Sequence, residues 1–150
     1  MNRRLFFFTA LAATLGTSLA AQAKSPEIFT GLIEGVGAAG YDVVAYMKDN
    51  AAKPGDPAIS TEWKGAKWYF TTADNLDAFK AEPEKYAPQY GGYCAYALAK
   101  GSLAKGEPEA WTVSDGKLYL NFSKQIRQTW AADIPGYVAT ANANWPKVLE

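Results

Sequence analysis

Asp115-Gly116 stands between two runs that alternate apolar and polar residues, with Trp111 and Val113 before it and Leu118, Leu120 and Phe122 after it. An Asp-Gly pair tolerates positive φ at both positions, and the tight turn this makes matches the twist of paired strands, so residues 110–122 are predicted to form a β-hairpin. Alternation places Trp111, Val113, Leu118, Leu120 and Phe122 inward and Lys117, Tyr119 and Asn121 outward. A second alternating pattern runs through Ile59, Thr61 and Trp63, turns at Lys64-Gly65 and returns through Trp68 and Phe70. Each hairpin is followed by a helix start. Thr72 caps a helix running to Ala81 that carries Leu76 and Phe79, and Ser123 caps one that carries Ile126 and Trp130. Lys67-Trp68-Tyr69-Phe70 leads to Leu76 at the same spacing as Lys117-Leu118-Tyr119-Leu120 leads to Ile126. The expected fold is therefore α+β, an antiparallel sheet of about four strands in two hairpins with short helices packed on one face. Its predicted core is Trp63, Trp68, Phe70, Phe79, Trp111, Leu118 and Leu120.

Between these units the chain is punctuated. Gly35 to Gly40 is rich in glycine and alanine and has no periodicity. Asp42 then caps a short helical turn over 43–47, a reading favoured slightly over a strand through the two valines. With Glu82, Glu84 and Asp115, Asp42 reads as part of a capping and solvated set without the spacing of a paired acid and base. A last helix is expected over 136–145, ahead of Pro146.

The beginning of the chain reads as an address. Arg3 and Arg4 form a positive start, residues 5–20 an apolar run, and Ala21-Gln22-Ala23 a small-x-small cleavage site, so residues 1–23 are expected to be removed before Lys24. Arg3-Arg4-Leu5-Phe6-Phe7 also resembles a twin-arginine export signal. The expected location is periplasmic or secreted. No later stretch approaches the roughly 20 apolar residues needed to span a bilayer, so no membrane anchor is expected after cleavage.

The sequence has 15 Lys+Arg and 15 Asp+Glu, and loss of Arg3 and Arg4 leaves 13 basic residues against 15 acidic. No basic stripe remains, which argues against nucleic acid as a partner and leaves a small ligand or a protein. Histidine is absent. That removes Ser-His and Cys-His catalysis and any histidine-ligated metal or haem, and no catalytic apparatus is evident in what is left.

The single cysteine, Cys94, follows Gly91-Gly92 in Tyr86-Ala-Pro-Gln-Tyr90-Gly-Gly-Tyr93-Cys94-Ala-Tyr96. A short helix is expected here, stopped by Gly101, with Cys94 near its start, where the helix dipole favours a reactive thiolate. With one cysteine no internal disulfide can form. The plainer role for such a thiol is a small packing residue, and the alternatives are redox work or metal contact. Tyr90, Tyr93 and Tyr96 are candidates for the wall of a ligand pocket, although tyrosines more often close a sheet edge. Met47 with Cys94 is the best soft donor pair available, and it suits Cu(I) alone.

Tyr41-Asp42-Val43-Val44-Ala45-Tyr46, Trp63-Lys64-Gly65-Ala66-Lys67-Trp68-Tyr69-Phe70, Pro83-Glu84-Lys85-Tyr86 and Gln89-Tyr90-Gly91-Gly92-Tyr93-Cys94 together resemble a YHS domain protein. The signal, the 111–122 hairpin and Asn144-Trp145-Pro146 resemble its exported bacterial subgroup, in parts of which the cysteine position is selenocysteine. The resemblance implies a single domain over 24–150 with a C-terminal helical extension, and a small module associated with metals. It also implies three metal-binding cysteine positions, which fall here on Ala45, Thr71 and Asn75. None of these is a soft ligand.

Overall fold

The structure, a computed structural model, describes residues 24–150. The expected export signal, residues 1–23, lies outside the described residues. The first unit begins with a 3-10 turn at Gly37–Gly40 and the short helix α1 (Ala45–Lys48), and continues with strands β1 (Asp56–Trp63) and β2 (Ala66–Phe70) and helix α2 (Ala73–Ala81). After α3 (Pro83–Tyr86), which was not expected, the order repeats. A 3-10 turn at Gln89–Gly92 leads to α4 (Ala95–Ala99), β3 (Glu107–Ser114), β4 (Lys117–Asn121) and α5 (Lys124–Ala131). The long helix α6 (Ile134–Asn144) closes the chain with a final turn at Lys147–Leu149.

The repetition extends to register. In the first hairpin Asp56 pairs with Phe70 and Ser60 with Tyr69, with a bulge between; in the second Glu107 pairs with Asn121 and Trp111 with Leu120, again with a bulge. Every pair is displaced by 51 residues, as from Asp56 to Glu107. Both turns take left-handed backbone, at Lys64 and Gly65 and at Asp115 and Gly116, as the dipeptides predict. Thr72 accepts the Asn75 N–H, and Ser123 accepts the Ile126 N–H. The sequence echo set Lys67 against Lys117, one residue away from the structural pairing of Lys67 with Leu118. In a strand that one-residue difference exchanges the two faces.

The expected four-stranded sheet is instead two sheets of two strands each. Each second strand carries a bridge from elsewhere in the chain. Val36 bridges in parallel to Lys67 on β2, where the Lys67 N–H donates to the Gly35 carbonyl at 2.9 Å, and Cys94 bridges in parallel to Leu120 on β4. Each bridge takes one position on the strand edge that its hairpin partner leaves free.

The hairpins meet through side chains. Trp68, Phe70 and Phe79 form the centre of the first unit, and Leu118 and Leu120 from β4 enter the same cluster. The other face of β4 carries Tyr119, which packs on Trp130 with ring centroids 5.2 Å apart, as Trp68 packs on Phe79 at 5.4 Å. β4 is thus covered on both sides, which corrects the expectation that Tyr119 and Asn121 face solvent: they are 4% and 0% exposed. Phe122, expected inside, lies past the end of β4 and is 45% exposed, with the Lys105 ammonium 5.1 Å from its ring centroid. Trp63 and Trp111 are half-buried, while the other five expected core residues are buried. No helix among the described residues is long and apolar enough to cross a membrane.

Candidate functional site

Asp42 is fully buried rather than solvated. Its Oδ1 accepts the N–H groups of Val44 at 2.9 Å and Ala45 at 3.2 Å, capping α1. Its Oδ2 accepts the Thr71 N–H at 2.8 Å, the Thr71 hydroxyl at 2.7 Å and the Asn75 amide at 2.8 Å. A buried carboxylate is tolerable when its lone pairs are filled by donors, and five donors fill these. The three positions at which the YHS resemblance implies cysteine ligands, Ala45, Thr71 and Asn75, are among the donors. Ala45, Thr71 and Asn75 thus act here as hydrogen-bond donors to one buried carboxylate.

Cys94 holds the corresponding place in the second unit. Gly40 and Gly92 have φ of 79° and 87°, and Tyr41 and Tyr93 are extended with ψ of 146° and 156°. The next residue then donates its N–H across the unit, Asp42 to the Lys53 carbonyl at 2.8 Å and Cys94 to the Ala104 carbonyl at 2.9 Å. Cys94 is 1% exposed and is the N-cap of α4, where its Sγ accepts the Ala97 N–H at 3.5 Å. One thiol cannot fill the place of a carboxylate. The remaining N–H, that of Tyr96, is accepted instead by Asn121 Oδ1 at 3.0 Å, which also accepts the Cys94 thiol at 3.5 Å. Asn121 stands where β2 has Phe70. The acceptor is thereby transferred from the cap residue to the strand beneath it. Asn121 Nδ2 and Trp130 Nε1 are buried without a partner among the described residues.

The three candidate wall tyrosines do not line one pocket. Tyr90 donates its hydroxyl to Asn142 at 2.8 Å, and Tyr93 donates to the Pro26 carbonyl at 2.8 Å. Both rings pack on Trp145, whereas Tyr96 packs on Tyr137 under the Lys100 ammonium. Tyr90 and Tyr93 border different depressions, of about 290 and 420 Å³. Burial pushes both phenols above their ordinary range. Met47 packs against the first cluster, to which none of these tyrosines belongs. Gly91 must be glycine: its φ is 63°, and a Cβ would meet the Glu27 carbonyl just where the Phe29 N–H donates to the Gly91 oxygen. Among the described residues there is no cluster of three or more Cys, Asp or Glu side chains suited to a metal ion.

A larger groove, about 510 Å³, opens between the β3–β4 turn and the α5–α6 connection. Ala131, Ala132, Ile134, Pro135 and Val138 give it an apolar side, and Asp115, Lys117 and Asp133 stand on its rim. Tyr119 is among its lining residues. Its ring packs against Tyr90 and Trp130, and its hydroxyl makes no hydrogen bond among the described residues. Burial, and then the Asp115 carboxylate, raise its pKa and keep it protonated. Sequence alternation missed this site by sending Tyr119 outward. The Gly40-Tyr41-Asp42 and Gly92-Tyr93-Cys94 parallel is displaced by 52 residues against 51 for the hairpins, so it could not have corrected the strand faces.

Residues 56–90 match the YHS domain. The YHS match takes in β1, β2, α2 and α3, with Thr71 and Asn75 inside it and Asp42, Met47 and Cys94 outside. Comparison with curated proteins and with solved structures finds no match. No catalytic apparatus is evident around the YHS segment.

Proposed function

We propose that this protein is an exported binding domain of YHS type that takes a small ligand in the groove beside Tyr119 and carries out no chemistry of its own. The observation that carries the reading is the groove itself: an opening of about 510 Å³ with a mixed apolar and charged lining that includes Tyr119, Asp115, Lys117 and Asp133. Concave openings with an apolar wall and a few polar groups are where small ligands bind. The hydroxyls of Tyr90 and Tyr93 are already bonded to the protein, which makes them support for the α6 face rather than contacts for a ligand. The Arg3-Arg4 and Ala21-Gln22-Ala23 pattern supports export to the periplasm or outside the cell. Amide shift mapping with a library of small fragments tests the site. Shifts gathered on Asp115, Gly116, Lys117 and Asp133 support it, and shifts gathered elsewhere, or none, contradict it.

Metal handling, suggested by the YHS match, would have to draw on donors outside the matched segment. Cys94 and Met47 are the soft pair, and Cu(I) is the ion that accepts so few ligands. The Cys94 sulfur already caps α4, so a copper ion would have to displace that contact.

A further inference from the structure

We infer that one water molecule is an integral part of the second unit, buried between β4 and α5, where it accepts from both Asn121 Nδ2 and Trp130 Nε1. Both residues are 0% exposed, and neither N–H donor has a partner among the described residues. A buried donor left unpaired loses its hydration and gains nothing in return, so native structures satisfy such groups with protein or with ordered water. Turning the Asn121 amide over does not help. Its Oδ1 accepts the Tyr96 N–H at 3.0 Å, and the reversed amide would set donor against donor there.

The two donors belong to neighbouring side chains. Tyr119 and Asn121 lie two residues apart on one face of β4, and the Trp130 ring packs on that face, its centroid 5.2 Å from that of Tyr119. The displacement of 51 that relates the hairpins also relates the caps Thr72 and Ser123, and it sets Asn121 against Phe70 and Trp130 against Phe79. In the first unit those two rings are in contact, with centroids 5.1 Å apart. An amide is smaller than the phenyl ring it stands for, by more than an indole is larger, so the second pair fills less of the same space. A water takes up only about 30 Å³. The donors also decide the occupant. Two N–H groups repel a cation, and two uncharged donors cannot offset the desolvation of an anion. Neither residue lines the depressions bordered by Tyr90, Tyr93 and Tyr119, which leaves a neutral acceptor of single-atom size. Such a water ties β4 to α5 and holds Tyr119 and Ala131, one from each, where they line the groove.

Overhauser spectra taken from the water signal of the isotope-labelled protein test this, because in the rotating frame dipolar contact and hydrogen exchange give cross-peaks of opposite sign. Dipolar cross-peaks are expected at the Trp130 indole N–H and at the Asn121 amide protons, and in the laboratory frame they should carry the sign of a water held far longer than those on the surface. Trp130→Phe keeps a ring, restores the residue of the first unit and removes one of the two hydrogen bonds, so the Asn121 cross-peak should fall about two-fold or more. A water contact at only one of the two donors, or an Asn121 cross-peak unchanged in Trp130→Phe, would overturn the shared site. Exchange peaks alone, or no water contact at either donor in the wild-type protein, would overturn buried hydration altogether.

Discussion

Asp42 and Cys94 stand at the same place in two copies of one unit, and each accepts the N–H three residues further on, Ala45 to Asp42 Oδ1 at 3.2 Å and Ala97 to Cys94 Sγ at 3.5 Å. The first copy completes its cap with the same carboxylate, and the second borrows Asn121 from β4. The positions that might have carried chemistry, a buried acid and a lone thiol, are therefore both occupied in holding short helices against their hairpins. That leaves the groove beside Tyr119 as the part of the molecule with unassigned binding capacity.

Removing the carboxylate at Asp42 should be costly, because Thr71, Asn75, Val44 and Ala45 would be left with buried donors facing an apolar side chain. Asp42→Ala is expected to lower unfolding free energy by about 3–5 kcal/mol. Urea denaturation checks it, and a loss under about 1 kcal/mol would show that the network is not the organising contact of the first unit.

The aromatic centres should be comparably sensitive. Phe79 touches Trp63, Trp68 and Phe70, with ring centroids 5.1 to 5.7 Å away, and is 1% exposed. Phe79→Ala should cost about 3–5 kcal/mol. Trp63 is half-buried, so Trp63→Ala should cost less, and the reverse order by thermal or chemical unfolding would contradict the assignment of the core.

Most of the secondary structure was legible because its signals are local. Asp115-Gly116 and Lys64-Gly65 impose their turns through backbone φ alone, and Thr72 and Ser123 cap the helices that follow them. What was not legible depended on the second face of β4. Alternation assumes one wet face, and here α5 covers that face with Trp130 and α4 with the Tyr96 backbone N–H, so Tyr119 and Asn121 are buried instead. Burial of Asp42 was hidden for a similar reason: its partners Thr71 and Asn75 lie about 30 residues away and announce nothing as a pair. The two-sheet arrangement turned on Val36 and Cys94, single bridge residues too short to read as strands.

Alkaline pH should unfold the protein early. Tyr46, Tyr90, Tyr93 and Tyr119 all have pKa values raised in the folded state, by burial first. The unfolded chain then releases these protons near the ordinary value of 10.0 while the folded chain retains them. Their contribution is fully present below that pH and is lost as pH rises through the folded values. Stability should thus fall steeply above about pH 10, with much of the tyrosinate absorbance appearing only as the protein unfolds. A smooth tyrosine titration near pH 10 with no loss of structure would contradict the packing.

Zinc should fail to bind tightly, since a tetrahedral site needs about four Cys, His or carboxylate ligands and the Asp42 carboxylate is filled by donors. Calorimetry showing one tight zinc per chain would contradict this.

The most direct measurement for the account as a whole is iodoacetamide labelling of Cys94 in the folded protein, followed against pH with and without denaturant. A sulfur that caps α4 and lies 1% exposed should label only on unfolding, at the rate of opening of the domain. Labelling of the native protein at the rate of a free thiol, with a midpoint clearly below the ordinary thiol value of about 8.5, would make Cys94 a reactive centre and contradict the non-catalytic binding domain.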